Sequence, residues 1–399
     1  MPITLWNYFK TIISFIVFFI CSIIVTLAGF FILTIGGKSK RNKLLYHKVL
    51  CNGFRFLAKI IPQVKHKIHN PHGETFDKPA VIICNHQSHL DLQYTLLLSP
   101  KIITLTNKWV WNSPFYGWII RYADFLPMVD GIEENIDKLQ KFVDDGYSIL
   151  IFPEGTRSPD CSIGRFRKGA FYLAEKLGLD ILPLVIHGIG HTLPKQEFLL
   201  RKGEVNVFVE QRISNSTCHC GLDPQSPIDS TSFRLKGEIS CAKQISPVGR
   251  HDSKLQPIAG QARNDNDGGD LALLEFTKNM RNFYQKRYSE IAAQIETPDY
   301  LADKVLKNYI YKGADIERAV KKSLKKHNNF KKEIENLPES GEITVQNIGY
   351  GEFALMAALV RKNLKITAIE NDLDRLEIAK NCPSVPENLK YKLSTDFLY

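Results

Sequence analysis

The sequence predicts an α/β protein, in which a sheet flanked by helices follows a membrane anchor and precedes a partial Rossmann-like module. Three observations lead to this prediction. Short runs of β-branched residues alternate with helical periodicity over residues 44–214. A stretch of roughly 25 residues near the N-terminus carries no charge. A strand, a glycine turn and a helix follow one another near the C-terminus.

The anchor is the run TIISFIVFFICSIIVTLAGFFILTI at residues 11–35, which is long enough to cross a hydrocarbon core of about 30 Å. It is too long for the apolar region of a signal peptide and lacks a cleavage site. Residues 1–43 are therefore predicted to be a single-pass anchor with its basic flank. Lys10 is the only basic side chain before the run, and basic side chains crowd after it: Lys38, Lys40, Arg41, Lys43 and Lys48. This bias predicts that the chain after residue 38 lies on the cytoplasmic face of the membrane, for which we expect a bacterial inner membrane. A merely solvated basic linker would have the same composition.

Residues 44–214 are predicted to form the main α/β domain. The runs KPAVIIC, KIITL, YSILIF, DILPLVI and EVNVFVE predict strands, and DLQYTLLL, ENIDKLQKFVDD and GAFYLAEKLG predict helices between them. Residues 215–270 are polar and aperiodic, resemble a translated repeat element, and are predicted to be a disordered insertion. Residues 271–335 are predicted to be helical, completing the domain and forming a linker. Residues 336–399 are predicted to form the partial Rossmann-like module.

The chain has 399 residues, a formal net charge of +10 and eight scattered cysteines without C-x-x-C spacing. We expect reduced thiols facing the cytosol. One group has the residue types of a zinc site without its spacing, so we predict no metal: Cys218, His219, Cys220, Cys241 and His251. The positive charge lies beside the anchor and along the late helices without a nucleic-acid motif, so we predict no nucleic-acid partner.

His86 and Asp91 are the first candidate catalytic residues. Five residues on one helix would separate the two side chains by about 140°, and five residues on one strand would put them on opposite faces. They can meet only where the chain changes conformation, and AVIIC, NHQSH and LDLQYTLLL predict a strand, a turn and a helix. A carboxylate there would orient the imidazole as a general base. Alternatively, Ser88 and Asp91 form a capping box and His86 is a polar strand end.

A second strand ends in the turn Phe152–Ser158, which carries Arg157, a residue type that binds phosphate through two hydrogen bonds. Arg165, Arg167 and Lys168 follow at the start of a helix, where an anion is also favoured. Taken singly, the turn could be structural and the basic residues could be a solvated loop.

Together these motifs resemble the glycerolipid acyltransferases, the 1-acylglycerol-3-phosphate acyltransferase family. The resemblance rests on four blocks in the family's order: Asn85-His86-x4-Asp91, residues 107–131 with Lys108, Pro114 and Gly117, Phe152–Ser158, and the strand around Pro183. One departure concerns the second block, which offers Asp130 where the family usually has an arginine credited with binding glycerol phosphate, and Ala123-Asp124 in place of the usual glycine.

The resemblance implies a membrane-bound O-acyltransferase of phospholipid biosynthesis that needs no cofactor. Its donor would be acyl-CoA or acyl carrier protein, and its acceptor a lysophospholipid hydroxyl. His86 would act as the base and Asp91 would orient it. The remaining family positions would contact substrate: Asn85, Lys108, Glu154, Gly155, Thr156, Arg157 and Lys168.

The C-terminal segment resembles the first half of a class I SAM-dependent methyltransferase. Gly349 and Gly351 stand at the strand-to-helix turn, and Glu370 follows about twenty residues later, where an acid would bind ribose hydroxyls. The segment reaches only two or three strands of such a sheet, which favours a packing module over an active enzyme.

The sequence thus predicts an acyltransferase and leaves three alternatives. A thioesterase or lipid hydrolase would use the same pair of residues to activate water. A methyltransferase would depend on Gly349 and Gly351 rather than on His86. A non-catalytic membrane scaffold would bind membranes without acyl turnover.

Overall fold

The structure is a computed structural model, and it describes residues 3–61, 63–113, 116–128, 135–159, 161–195, 198–214, 267–309 and 312–394. The predicted insertion at 215–270 lies outside these ranges apart from its last residues, which begin a helix at Asp267. The zinc-like group from Cys218 to His251 also lies outside them.

The main sheet has seven strands: β1 Val64–His69, β2 Ala80–Cys84, β3 Ile102–Asn107, β4 Leu126–Met128, β5 Ser148–Ile151, β6 Asp180–His187 and β7 Gly203–Val209. Their order across the sheet is β1-β7-β6-β2-β5-β3-β4. The β6–β7 pair is antiparallel, and the other neighbouring pairs are parallel. All five predicted strands are present. Every residue of β2 and β5 is buried, as expected for central parallel strands that are covered on both faces.

Helices cover this sheet and surround its edges. They are α1 Ile3–Gly29 with a π-helical continuation at Phe30–Ile35, α2 Lys40–Ile60, α3 Asp91–Leu96, α4 Lys108–Trp111, α5 Gly117–Tyr122, α6 Ile136–Asp144, α7 Gly169–Lys176, α8 Ile189–Thr192 and α9 Asp267–Ile295. Helix α9 contacts β6 and α7. Its Tyr284 is fully buried and donates a hydrogen bond of 2.8 Å to the Ile83 carbonyl. The segment after the insertion therefore packs directly on the central strand.

The chain beyond α9 builds a second layer structure with its own hydrophobic core. It contains α10 Pro298–Lys307, α11 Ala314–Lys326, α12 Lys331–Glu335, β8 Ser340–Gln346, α13 Glu352–Val360, β9 Asn363–Glu370, α14 Leu373–Lys380 and β10 Leu389–Leu393. The three strands are parallel in the order β10-β9-β8. This agrees with the predicted strand-turn-helix alternation of a Rossmann-like module.

The helices at 298–335 differ from the prediction that residues 271–335 complete the first domain. Leu301, Val305, Val320 and Leu324 are buried in the core of the C-terminal sheet rather than in the core of the main sheet. These helices join the core of the C-terminal module, where α10 packs on α13, and of the segments after the insertion up to residue 335 only α9 joins the larger core.

The N-terminal helix has the length and apolar composition predicted for a membrane anchor, and it also contacts the domain that follows it. Among the described residues, Tyr8–Ile35 is the one helical stretch long and apolar enough to cross a membrane. Near its start, Thr11 Oγ1 donates to the Leu200 carbonyl at 3.3 Å and accepts from the Leu200 amide at 3.2 Å. Near its end, Thr34 Oγ1 lies 3.2 Å from the Tyr122 hydroxyl. Residues 11 and 34 are about 35 Å apart along a helix. Both ends of the helix therefore contact residues of the main domain.

A buried histidine of α2, His47, should make the fold sensitive to acid. Burial, aided by the neighbouring Lys43, lowers the pKa of His47 to about 4. The unfolded chain takes up a proton near pH 6.5 and the folded chain does not, so stability falls as the pH drops from about 6.5 towards 4. We expect a loss of about 2 kcal/mol from this residue at pH 5.

The His47→Phe variant tests this expectation. The His47 ring packs edge-on against Tyr147 with centroids 5.1 Å apart, a contact that phenylalanine can keep. Thermal unfolding in detergent at pH 7 and pH 5 should show a smaller acid-induced fall in Tm for the variant. An unchanged fall would mean that His47 does not titrate in this range.

Candidate active site

The turn after β2 brings His86 and Asp91 into direct contact. His86 follows the strand end, Asp91 opens α3, and His86 Nδ1 lies 2.7 Å from Asp91 Oδ2. The Asp91 side chain is completely buried, and the His86 side chain is 23% exposed. The buried carboxylate of Asp91 therefore contacts the Nδ1 side of the imidazole, while part of the His86 side chain remains accessible to solvent.

Asp91 also performs the capping function that was the alternative interpretation. Its Oδ2 accepts hydrogen bonds from the backbone amides of Gln87 at 2.6 Å and Ser88 at 2.8 Å. The second oxygen, Oδ1, is buried without a hydrogen bond within the described part of the chain. The two interpretations are thus compatible, because one carboxylate both closes the turn and orients the imidazole.

The backbone and the ring of His86 are fixed from the neighbouring strand end. The His86 amide donates to Glu154 Oε1 at 2.9 Å, and the Ser158 amide donates to the His86 carbonyl at 2.7 Å. The His86 ring stacks on Phe152, with centroids 4.3 Å apart. Since β5 pairs directly with β2, the Phe152–Ser158 turn lies beside the His86 turn at the same edge of the sheet. Ligands of open α/β sheets usually bind at this edge.

Two residues predicted to contact substrate are used inside the protein instead. Glu154 accepts the amides of His86 at Oε1 and of Gly164 at Oε2, both at 2.9 Å. Burial raises the pKa of Glu154 above its usual value, although these two amides favour the charged form. Asn85 is fully buried and exchanges two hydrogen bonds with the Ile186 backbone, at 2.8 and 2.9 Å. Backbone groups therefore occupy the polar atoms of both side chains: the amides of His86 and Gly164 for Glu154, and the amide and carbonyl of Ile186 in β6 for Asn85.

Arg157 lies near the catalytic pair and keeps unused hydrogen-bonding capacity. Its Nη1 is buried and makes no hydrogen bond within the described residues. Burial lowers the pKa of the Arg157 guanidinium, and the nearby Asp91 carboxylate opposes that shift. Arginine stays protonated in proteins, so a partly buried positive charge faces this region.

The sequence did not single out Lys195, which supports the Arg157 turn. Lys195 Nζ donates to the Arg157 carbonyl at 2.8 Å and to Thr156 Oγ1 at 3.5 Å. No motif marks Lys195, because it approaches the turn from a distant loop.

Gly155, in the same turn, has a φ of +69°, and a Cβ there would lie 3.0 Å from Arg167 Cζ. Both facts explain why this position is a glycine.

The remaining residues of the family blocks are exposed, lie outside the described residues, or take part in packing elsewhere. Lys108 is exposed at the start of α4, and Lys168 is exposed at the N-cap of α7. Pro114 and Asp130 fall outside the described ranges. Asp124 adopts a φ of +53° and pairs with Lys43 at 2.7 Å, so it is part of the packing near α2.

The C-terminal glycine turn has the predicted conformation, but the carboxylate of Glu370, predicted to bind a ribose, is hydrogen-bonded to backbone amides of the protein. Gly349 and Gly351 have φ values of +60° and +84°, at the turn between β8 and α13. Glu370 is buried, and its Oε2 accepts the Gly349 amide at 2.7 Å. Its Oε1 accepts the amides of Asn371 and Asp372 at 3.1 and 3.3 Å. In this structure the carboxylate therefore stabilises the turn itself, which corrects its assignment to a ribose.

Among the described residues, no group of three or more His, Cys, Asp or Glu side chains is placed to hold a metal ion. The chemistry that the site offers is that of an oriented imidazole beside a guanidinium.

The comparisons with known proteins agree on one family. The family model described as acyltransferase matches residues 62–187. The chloroplastic 1-acyl-sn-glycerol-3-phosphate acyltransferase LPAT1 of Arabidopsis thaliana is 34% identical over 149 residues, which cover 35% of this chain and 41% of the relative. The 1-acyl-sn-glycerol-3-phosphate acyltransferase of Pseudomonas aeruginosa is 25% identical over 53% of this chain and 83% of its own length.

The 1-acyl-sn-glycerophosphate acyltransferase PlsC of Thermotoga maritima is a similar solved structure, with a TM-score of 0.46 and 23% identity over 53% of this chain and 87% of that one. The chain spans about half the length, or less, of several curated relatives that it matches, between 41% and 52%. The matched region 62–187 contains both the His86 and the Phe152–Ser158 turns. Through this region, the chain is similar to the acyltransferase family.

Proposed function

We propose that this protein is a membrane-associated O-acyltransferase of phospholipid biosynthesis that acylates the hydroxyl of a lysophosphatidate-like lysophospholipid. The observation that carries the proposal is the 2.7 Å contact between His86 Nδ1 and the buried Asp91, beside Arg157 at the carboxyl edge of the sheet. The acyl donor is a thioester, either acyl-CoA or acyl carrier protein.

The contacts of Asp91 support one tautomer of His86. Asp91 also accepts two backbone amides, so its carboxylate acts as an acceptor and His86 Nδ1 carries the shared proton. Nε2 is then the basic atom. It takes the proton of the acceptor hydroxyl as that oxygen attacks the thioester carbonyl, and Asp91 stabilises the imidazolium that forms. The proton next passes to the departing thiolate, so the step needs neither a cofactor nor a protein nucleophile.

Arg157 would bind the phosphate of the acceptor. A partly buried guanidinium with an unused N–H is stabilised by an anion that accepts two parallel hydrogen bonds. The neighbouring Lys195 adds positive charge to the same turn. Lys168 and Thr156 are the next candidates for contact with the head group.

The N-terminal helix would hold this site at the bilayer. Its exposed side chains are apolar along most of its length: Ile12, Ile16, Phe19, Ile20, Ile23, Ile24, Leu27 and Phe31. Because both ends of α1 contact the domain, we propose that α1 lies lengthwise in the leaflet facing the domain, on the cytoplasmic face of the bacterial inner membrane. The exposed Lys38, Lys40, Arg41 and Lys48 would bind anionic head groups there.

An N-terminal epitope tag distinguishes this arrangement from a spanning anchor. If α1 lies in one leaflet, protease added to inverted membrane vesicles should remove the tag together with accessible loops of the domain. A tag protected in inverted vesicles and cleaved in right-side-out vesicles would instead show that the helix spans the membrane.

The enzymatic proposal is tested with purified protein in vesicles, labelled acyl-CoA and labelled acyl carrier protein. The acceptor panel contains lysophosphatidate, lysophosphatidylglycerol, lysophosphatidylethanolamine and monoacylglycerol. We expect a diacyl product that requires a phosphate-bearing acceptor. Release of free fatty acid at a rate independent of acceptor would identify a thioesterase, and the absence of any acyl turnover would favour a scaffold.

Glu154 should affect the rate through His86 rather than by binding substrate. In Glu154→Gln, one oxygen can accept only one of the two amides, and the new NH2 group faces the other donor. An unsatisfied buried donor costs about 1–3 kcal/mol, so we expect kcat to fall roughly 5- to 100-fold, with a smaller change in KM. Glu175→Gln, an exposed glutamate on α7, is the control. A raised KM at unchanged kcat would instead show that Glu154 contacts substrate.

A further inference from the structure

Cys161 adopts a backbone conformation that cysteine seldom takes. Its φ is +67°, in the left-handed region that favours glycine. Such conformations persist where the surroundings impose them, and they are common at functional sites. The residue is partly exposed, and its carbonyl accepts a hydrogen bond of 2.8 Å from Gln87 Nε2. Gln87 directly follows His86, so Cys161 lies at the edge of the candidate active site.

A histidine and a carboxylate stand in line behind this thiol. Cys161 Sγ lies 4.0 Å from His191 Nδ1, and the other ring nitrogen, His191 Nε2, lies 3.7 Å from Glu296 Oε1. The imidazole is therefore bracketed by a thiol and a carboxylate, the order found in enzymes with a histidine-activated cysteine. Both distances are at the long end, as is common for catalytic groups without substrate.

The surrounding residues hold this arrangement in place. Glu296 is only 9% exposed, and it is fixed by His187 Nε2 and by Lys362 Nζ, each at 3.1 Å. Gly190 lies next to the thiol, and a Cβ at Gly190 would come within 2.5 Å of Cys161 Sγ. A side chain at position 190 would displace the sulfur, so the glycine leaves room for the thiol.

We propose that Cys161 is a second acyl-accepting group, which takes a fatty acyl chain from a thioester donor. His191 removes the thiol proton, and Glu296 positions His191. The sulfur of Cys161 attacks the donor carbonyl, the donor carbon–sulfur bond breaks, and the proton passes from His191 to the departing thiolate. One thioester is exchanged for another, so no oxidant or further reactant is needed. The inference rests on the proposed function only for the class of donor.

The test uses the full-length protein in detergent, incubated with labelled long-chain acyl-CoA and no lipid acceptor. Peptide mapping by mass spectrometry then locates the acyl group, and neutral hydroxylamine identifies a thioester. We expect label on Cys161 that hydroxylamine releases, absent from Cys161→Ser. The initial rate of labelling should be about tenfold or more lower in His191→Asn. Cys21, which is also partly exposed, serves as the internal comparison in the same digest.

Several outcomes would overturn the inference. They are label on Cys21 at the same rate as on Cys161, no label on Cys161, or a wild-type labelling rate in His191→Asn with an unchanged Tm. If His191→Asn unfolds, the Glu296→Gln variant is used instead, and its rate of Cys161 alkylation by iodoacetamide is measured. A rate equal to wild type contradicts the proposed activation.

Lysolipid transfer measured in the same preparation distinguishes this proposal from the proposed function. Lipid product without label on Cys161 overturns this inference alone, and label without lipid product contradicts the proposed function alone.

Discussion

Replacing His86 with alanine is expected to lower kcat for acyl transfer by about 10²- to 10⁴-fold, the contribution of a positioned general base. The backbone hydrogen bonds of His86 with Glu154 and Ser158 do not involve the imidazole, so alanine should leave the turn intact. The measurement is the initial rate of diacyl product formation with a labelled donor at saturating acceptor.

His72→Ala is the matched control for this variant. His72 is an exposed histidine in a turn between β1 and β2. It should retain the wild-type rate. Equal rates for wild type and His86→Ala, with both proteins folded, would exclude His86 as the base.

Replacing Arg157 with alanine should have the second largest effect, and only on acceptors that carry phosphate. Hydrogen bonds to charged groups contribute about 1.5–3 kcal/mol, so kcat/KM for lysophosphatidate should fall roughly 10- to 100-fold. Arg157→Lys should recover part of this loss, because it keeps the charge and loses the two-pronged geometry. The measurement is kcat/KM for lysophosphatidate and, in parallel, for monoacylglycerol.

Monoacylglycerol lacks the phosphate, so its slower acylation should be nearly unaffected by Arg157→Ala. Arg318→Ala, at an exposed position in the C-terminal module, is the control for the loss of one positive charge. Equal losses on both acceptors would show that Arg157 does not bind phosphate and acts on the turn instead.

The strands of the main sheet could be predicted because their residues are β-branched and buried on both faces. The edge strand β1, VKHKIH, was not predicted, because its lysines and histidines alternate with only a few apolar residues. The three-residue β4 is too short to produce a pattern. The core that α10–α12 join was also missed, because an apolar helical face does not indicate which core it packs into.

In the candidate site, too, the sequence motifs predicted some contacts, whereas others depend on tertiary packing. The spacing of His86 and Asp91 predicted a turn in which the two side chains face each other, and the structure has that turn. Spacing could not show that the side chains of Glu154 and Asn85 are hydrogen-bonded to backbone groups of neighbouring segments. Lys195 and the alignment of Cys161 with His191 arise from long-range contacts, which leave no local signal in the sequence.

The coupling between His86 and Asp91 tests the central claim most directly, namely that the two residues act as one unit. The rates of acyl transfer are measured for wild type, His86→Ala, Asp91→Asn and the double variant, with a radiolabelled donor and long incubations. If Asp91 acts through His86, the double variant should be no slower than His86→Ala alone. Losses that multiply in the double variant would show that the two residues act independently and would contradict the proposed mechanism.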